Sequence, residues 1–138
     1  FCTRILLDEK RWRVCRDFAA VALSLVKTLN LEYDKRDAFQ GLGMITANSF
    51  FARRMCGEPL EVMRAELRDW KTEDLHKRYQ FLKFILLEEF DNAARLASEL
   101  LKGSDETGKP DLCVYELREW PILAEFRKSD QGRPFIKI

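Results

Sequence analysis

A chain of 138 residues, 46% hydrophobic and 34% charged, has enough apolar material for one packed core under a well-solvated surface. Its formal net charge of +1, with acids and bases spread through both halves, excludes the strong electrostatic pull of a nucleic-acid or anionic-membrane binder. No signal-peptide pattern opens the chain, no apolar run approaches the ~18–20 residues that cross a bilayer, and four cysteines without a C-x-x-C pair beside a single histidine exclude a zinc site. The setting implied is reducing and cytoplasmic, with no membrane, no nucleic acid and no cofactor. The chain opens on Phe1 and runs at once into Ile5, Leu6 and Leu7, as a piece of a longer protein would.

Thr3 to Glu9 predicts the end of a helix, and Lys10-Arg11 a corner. Trp12 opens a second helix to about Leu29. Apolar spacing assigns Val14, Cys15, Phe18, Ala19, Ala22, Leu25, Val26 and Leu29 to its buried side. A polar connection from Glu32 to Asp37 leads into a long helix reaching Cys56. There Phe39, Leu42, Met44, Ile45, Ala47, Phe50, Phe51 and Met55 spread round most of the circumference, the pattern of a central helix. Gly41 and Gly43 inside it cost roughly 1 kcal/mol each against alanine. Close approach of a neighbouring backbone, or of an apolar ligand, would offset that. Gly57 is placed to end this helix in the left-handed conformation. Pro59 suits the first turn of the next, which holds Leu60, Val62, Met63, Leu67 and Trp70. Thr72, followed by Glu73 and Asp74, starts another capping pattern.

Tyr79 to Lys102 predicts two helices joined by a tight corner. The first carries Leu75, Tyr79, Leu82 and Leu86 on one stripe, with Phe81, Phe84, Ile85 and Leu87 beside it. The second carries Ala93, Ala97, Leu100 and Leu101. Phe90 sits at the corner, Asp91 or Asn92 can cap, and the small residues Ala93, Ala94 and Ala97 permit close approach. Residues 103–111 predict a surface loop. Gly103-x-x-x-x-Gly108-Lys109 matches the first part of a phosphate-binding loop, but Pro110 stands where a hydroxyl should reach Mg²⁺, a helix precedes it, and Asp105 and Glu106 repel phosphate. Asp111 to Trp120 is weakly helical at best. Trp120-Pro121 forces a break, Pro121 begins a last helix closed by Asp130 to Gly132, and the tail is either disordered or docked through Phe135 and Ile136. The class is all-α: six or seven helices in antiparallel pairs forming a single helical domain over 1–138.

Groups for chemistry are scarce. Glu73-x-x-His76 has the spacing of a di-metal ligand pair, which needs a second copy with its own histidine. His76 stands alone in the chain, so nucleophile–histidine catalysis also lacks partners. Glu88, Glu89 and Asp91 crowd a helix end, where carboxylates point to water. No enzyme is expected.

A weak repeat is visible. Ile5-Leu6-Leu7-Asp8-Glu9 precedes Trp12, and Ile85-Leu86-Leu87-Glu88-Glu89 precedes Phe90. Three residues after each aromatic comes a small one, Cys15 or Ala93, and Gly57, Pro59 and Val62 form a rougher third copy. The pattern resembles the tetratricopeptide repeat, a helix-turn-helix unit of about 34 residues. Leu100 departs from it at the last small position, where Ala22 fits, and the spacings from Trp12 to Pro59 and on to Phe90 both miss that period. An irregular helical bundle is the alternative architecture. The resemblance implies an array whose first helices line a concave groove gripping an extended peptide. Asn48, Lys77, Gln80 and Lys83 would then be the groove residues, favouring an acidic segment or a C-terminal carboxylate. The function expected is a helical-repeat interaction module for a peptide or protein segment, without catalysis. Its rival is a helical bundle that binds or senses a small apolar ligand near Gly41, Gly43, Met44 and Phe50.

Overall fold

The computed structural model describes residues 2–29, 35–103 and 110–136, with the side chains of 2 and 35–41 excepted. Most of the connection expected at Glu32 to Asp37, and the loop with its Gly108-Lys109 motif, lie outside the described residues. Among those residues are nine α-helices and no strand, an all-α fold. Their contacts gather into two compact units, Phe1–Lys71 and Thr72–Ile138, a division that no linker composition announces.

The first unit holds α1 (Cys2–Asp8), α2 (Trp12–Leu29), α3 (Lys35–Met55) and α4 (Leu60–Asp69). At the α1–α2 corner Lys10 takes φ 55°. The Lys10 and Arg11 amides donate to the Leu7 and Leu6 carbonyls at 3.0 and 2.9 Å, the paired bonds that satisfy a helix C-terminus. Gly57, at φ 100°, closes α3 in the same way: its amide donates to Arg54 and that of Glu58 to Arg53, at 2.9 and 3.1 Å. Leu7, Cys15 and Ala52 form a core with Leu6, Trp12 and Phe51 around it, and the Trp12 and Phe51 rings meet edge-on at 5.7 Å. Cys15, Ala19, Ala47 and Ala52 are fully buried. Small side chains thus share the interior of this unit with Leu7, Met63 and Leu67, which are as fully buried.

One expectation is overturned here. Val14, Phe18, Leu25 and Leu29, assigned by spacing to the buried side of α2, are exposed, as is Val21, at 42% to 59%. The helix carries two adjacent apolar arcs, one of small residues and one of large. The small arc packs, because it lets the neighbouring helices come close. Along α3 burial is partial too: Ala47, Asn48, Phe50 and Ala52 are inside and Met55 stands exposed.

Arg53 ties α3 to α4. Its guanidinium donates to both carboxylate oxygens of Glu58 at 2.7 Å and to those of Glu66 at 2.9 and 3.0 Å. It also lies 5.3 Å from the Phe50 ring centre, and Phe50 in turn leans on Trp70 at 6.1 Å. These hydrogen bonds hold the Glu58 and Glu66 carboxyls below their usual range. Carboxylates shifted down stabilise the fold above their unfolded pKa and lose that contribution as pH falls through the folded one. With the carboxylates facing solvent, Arg53→Met is expected to cost only about 1 kcal/mol at neutral pH. The gap to the parent chain should close on acidification below 4.5. Urea unfolding of both proteins at neutral and acid pH tests this, and a gap indifferent to pH sinks it.

The second unit holds α5 (Lys77–Leu86), α6 (Phe90–Lys102), α7 (Val114–Glu119), a 3-10 turn (Pro121–Leu123), α8 (Ala124–Lys128) and α9 (Arg133–Ile136). Thr72 closes a turn with Leu75, and α5 begins later than the sequence suggests. His76 caps it, Nδ1 accepting from the Arg78 amide at 3.1 Å. Tyr79, Phe81, Leu82, Ile85 and Leu86 are all buried, so α5 is the helix enclosed on most sides. Glu88, at φ 60°, makes the corner, with amide bonds from Glu88 to Ile85 and from Glu89 to Phe84 at 3.0 and 2.9 Å. Glu89, rather than Asp91 or Asn92, occupies the N-cap of α6.

The stretch expected to be barely helical forms α7, whose Glu116 reaches back to the Cys113 amide at 3.0 Å and whose Leu117 is buried. Trp120-Pro121 breaks the chain as its sequence requires. Arg127 then donates to the Leu117 and Trp120 carbonyls at 3.1 and 2.7 Å. Phe126 sits among Phe81, Phe90 and Phe135 at 5.9, 5.8 and 6.1 Å, so the tail docks through Phe135.

The three corners share a register. Trp12, Leu60 and Phe90 open the helix after each corner. The fourth and eighth residues, Cys15 and Ala19, Met63 and Leu67, Ala93 and Ala97, are fully buried every time. The third copy therefore runs on Leu60 and Met63, while Val62 is exposed. Before the corner the matching strings are offset. Lys10 and Glu88 are the equivalent residues, so Leu7 corresponds to Ile85.

Candidate interaction surface

Val14, Phe18, Val21, Leu25 and Leu29 follow one another at steps of four, three, four and four. On a helix those steps keep side chains within an arc of roughly 80°. The resulting seam runs the length of the 18-residue helix α2, on the order of 27 Å. It has the spacing by which one helix takes the knobs of another. One border is the helix's own packed arc; the other carries Thr28, Ser24 and Asp17, the last paired with Arg16 at 2.9 Å.

At its N-terminal end the seam opens into a cleft of about 390 Å³ lined by Lys10, Arg11, Trp12, Arg13, Val14, Met55 and Cys56. Its lining mixes three cations, Lys10, Arg11 and Arg13, with the apolar side chains of Trp12, Val14 and Met55. Among the described residues Lys10, Arg11 and Arg13 enter no ion pair. Cys15, fully buried in the first turn of α2, donates to the Thr3 carbonyl at 3.6 Å. Burial, helped by the neighbouring Cys56, pushes its thiol up to about 11, which leaves it unreactive. The α5–α6 corner bears a second cleft, of about 270 Å³, with Glu88, Glu89 and Asp91 on it. There Gln131 donates to Asp91 at 3.1 Å.

The residues proposed for a peptide groove divide. Lys77, Gln80 and Lys83 share one face of α5, with Gln80 and Lys83 half-buried and Lys77 paired to Glu99 of α6 at 2.9 Å. Asn48 lies in the first unit, fully buried, its amide donating to the Thr3 hydroxyl at 2.9 Å. Of the positions considered for an apolar ligand, Met44 is half-buried, Phe50 is packed between Trp70 and Arg53, and the burial of Gly41 lies outside the described residues.

Sequence reasoning misses Val21 and turns its four companions inward. The available signal is the doubled periodicity of α2, where Cys15, Ala19 and Ala22 form one series and Val14, Phe18, Val21 and Leu25 another. No described helix is long and apolar enough to cross a membrane. Compared with family models, curated proteins and solved structures, the chain matches none of them.

Proposed function

We propose that this chain is a protein-interaction module, working in the cytoplasm, that holds a segment of a partner protein against its helices and performs no chemistry itself. The observation that carries the reading is the exposed seam of α2. Apolar side chains scattered singly on a surface are ordinary; a contiguous line of five with a polar border marks an interaction site. A helical-repeat, tetratricopeptide-like character draws support from the shared register of the three corners. In that reading Lys77, Gln80 and Lys83 on α5 grip the segment; the seam offers a larger apolar area for it.

Affinity capture from native cell extract tests the proposal with two variants of the full chain. One is Phe18→Ser with Leu25→Ser, the other Lys77→Glu with Lys83→Glu. All four side chains reach solvent, and circular dichroism should show the helices intact. Losing two apolar anchors is expected to weaken binding tenfold or more, at about 1.5–3 kcal/mol for each fully buried side chain. A protein retained by the parent and the α5 variant but lost from the α2 variant supports the seam. The converse pattern transfers the site to α5. If no captured protein depends on either face, the module reading falls.

A further inference from the structure

We infer that the occupant of the α2 seam is an amphipathic helical segment of another protein, with apolar residues at heptad spacing and acidic residues flanking them. The inference rests on the interaction-module reading and adds the chemistry of the partner.

Shape points to a helix. The exposed residues form a narrow line at steps of four, three, four and four, and a helix presents knobs at steps of three and four. An extended strand, with its period of two, would meet every second pocket out of step. A bilayer surface takes up a broad apolar face, wider than this arc.

Charge points to acid. Lys10, Arg11 and Arg13 rim the cleft where the seam begins, and among the described residues none has an ion-pair partner. The first turn of α2 adds the partial positive charge of its free amides. A carboxylate laid in that cleft meets three cations beside the apolar side chains of Trp12, Val14 and Met55. A second copy of this chain does not supply it. Seam against seam, parallel copies would bring the two cationic rims together. Antiparallel copies would set each rim against Ser24, Lys27 and Thr28, and none of the described residues at that end of α2 is an acid. Among the described residues the other exposed large apolar side chains, Ile5, Met55, Val62 and Tyr115, lie on four different elements and make no helical line like that of α2.

Fluorescence anisotropy with synthetic helical peptides tests this on the full chain. Three peptides carry leucine at the two core heptad positions and differ in their flanks: all glutamate, all glutamine or all lysine. The glutamate peptide is expected to bind at least ~10-fold more tightly than the lysine peptide, with a preference that shrinks as salt rises. Arg11→Glu with Arg13→Glu should erase the preference, and Phe18→Ser with Leu25→Ser should erase binding of all three. The inference is overturned if the glutamate peptide fails to bind, if flank charge makes no difference, or if the preference survives charge reversal. It is also overturned if the chain dimerises through α2, or if vesicles rich in phosphatidylserine compete for the seam. Any of these outcomes leaves the module reading to its own capture experiment. A partner that depends on Phe18 and Leu25 but ignores Arg11 and Arg13 keeps the module and discards the acidic helix.

Discussion

Phe126→Ala is expected to cost the second unit about 3–5 kcal/mol, among the largest losses a single substitution here should produce. The Phe126 ring is buried and meets Phe81, Phe90 and Phe135 at 5.9, 5.8 and 6.1 Å. It thereby joins α5, the start of α6 and the C-terminal helix. Truncation removes the ring's transfer energy and leaves a cavity, whose cost depends on how far the walls can relax. Phe81 belongs to a helix enclosed on most sides, and Phe90 follows directly on the Glu88 corner, so neither can fold inward freely. A domain this small stands only ~0.05–0.15 kcal/mol per residue above its unfolded state, and the loss would consume much of that. Urea unfolding followed by circular dichroism gives the value, with Phe126→Leu as the milder control. A loss below about 1 kcal/mol is incompatible with this account of the aromatic cluster.

Gly132→Ala is expected to cost about 2–4 kcal/mol for a different reason. A Cβ at Gly132 would lie 1.9 Å from the Phe126 carbonyl oxygen and 2.6 Å from its carbon, closer than atoms can approach. The issue is space; backbone conformation is not involved. To admit the methyl group, the turn before α9 must lift. That strains the bond from the Gly132 amide to Ser129 Oγ at 3.0 Å and the one from the Phe135 amide to the Gly132 carbonyl at 3.1 Å. It also draws Phe135 off its stack on Phe126. Because the obstructing atoms are backbone, the penalty should persist in a Phe126→Ala background, and a double-mutant cycle reads that directly. If it disappears with the ring, the obstruction lies in the side chain and the argument fails.

Much of this architecture is legible in the residues. Apolar spacing places the first six helices, Gly57 marks its corner, and Trp120-Pro121 marks its break. Lys10-Arg11 is read as a corner, but the left-handed conformation of Lys10, like that of Glu88, escapes notice because residues other than glycine give no local sign of it. The short helix α7 escapes because burial of Leu117 and the reach of Glu116 hold it, and neither is a propensity. On α2 periodicity gives the directions of two arcs but cannot choose between them. Packing chooses, since Cys15 and Ala19 let helices approach where Phe18 and Leu25 would hold them apart. Asn48 looks like a groove residue from its polarity alone. Its burial and its hydrogen bond to the Thr3 hydroxyl on another helix belong to tertiary structure that no local window contains. The exposed apolar seam of α2 is therefore the least legible part, being what packing leaves over.

Lys10 makes its bend at φ 55°. A left-handed lysine holds its backbone roughly 1–2 kcal/mol above what an L-residue prefers, and glycine there would relieve it. The same holds at Glu88, on the acidic cleft. At both bends the polypeptide keeps a charged side chain where its own folding would gain from an uncharged, bare backbone.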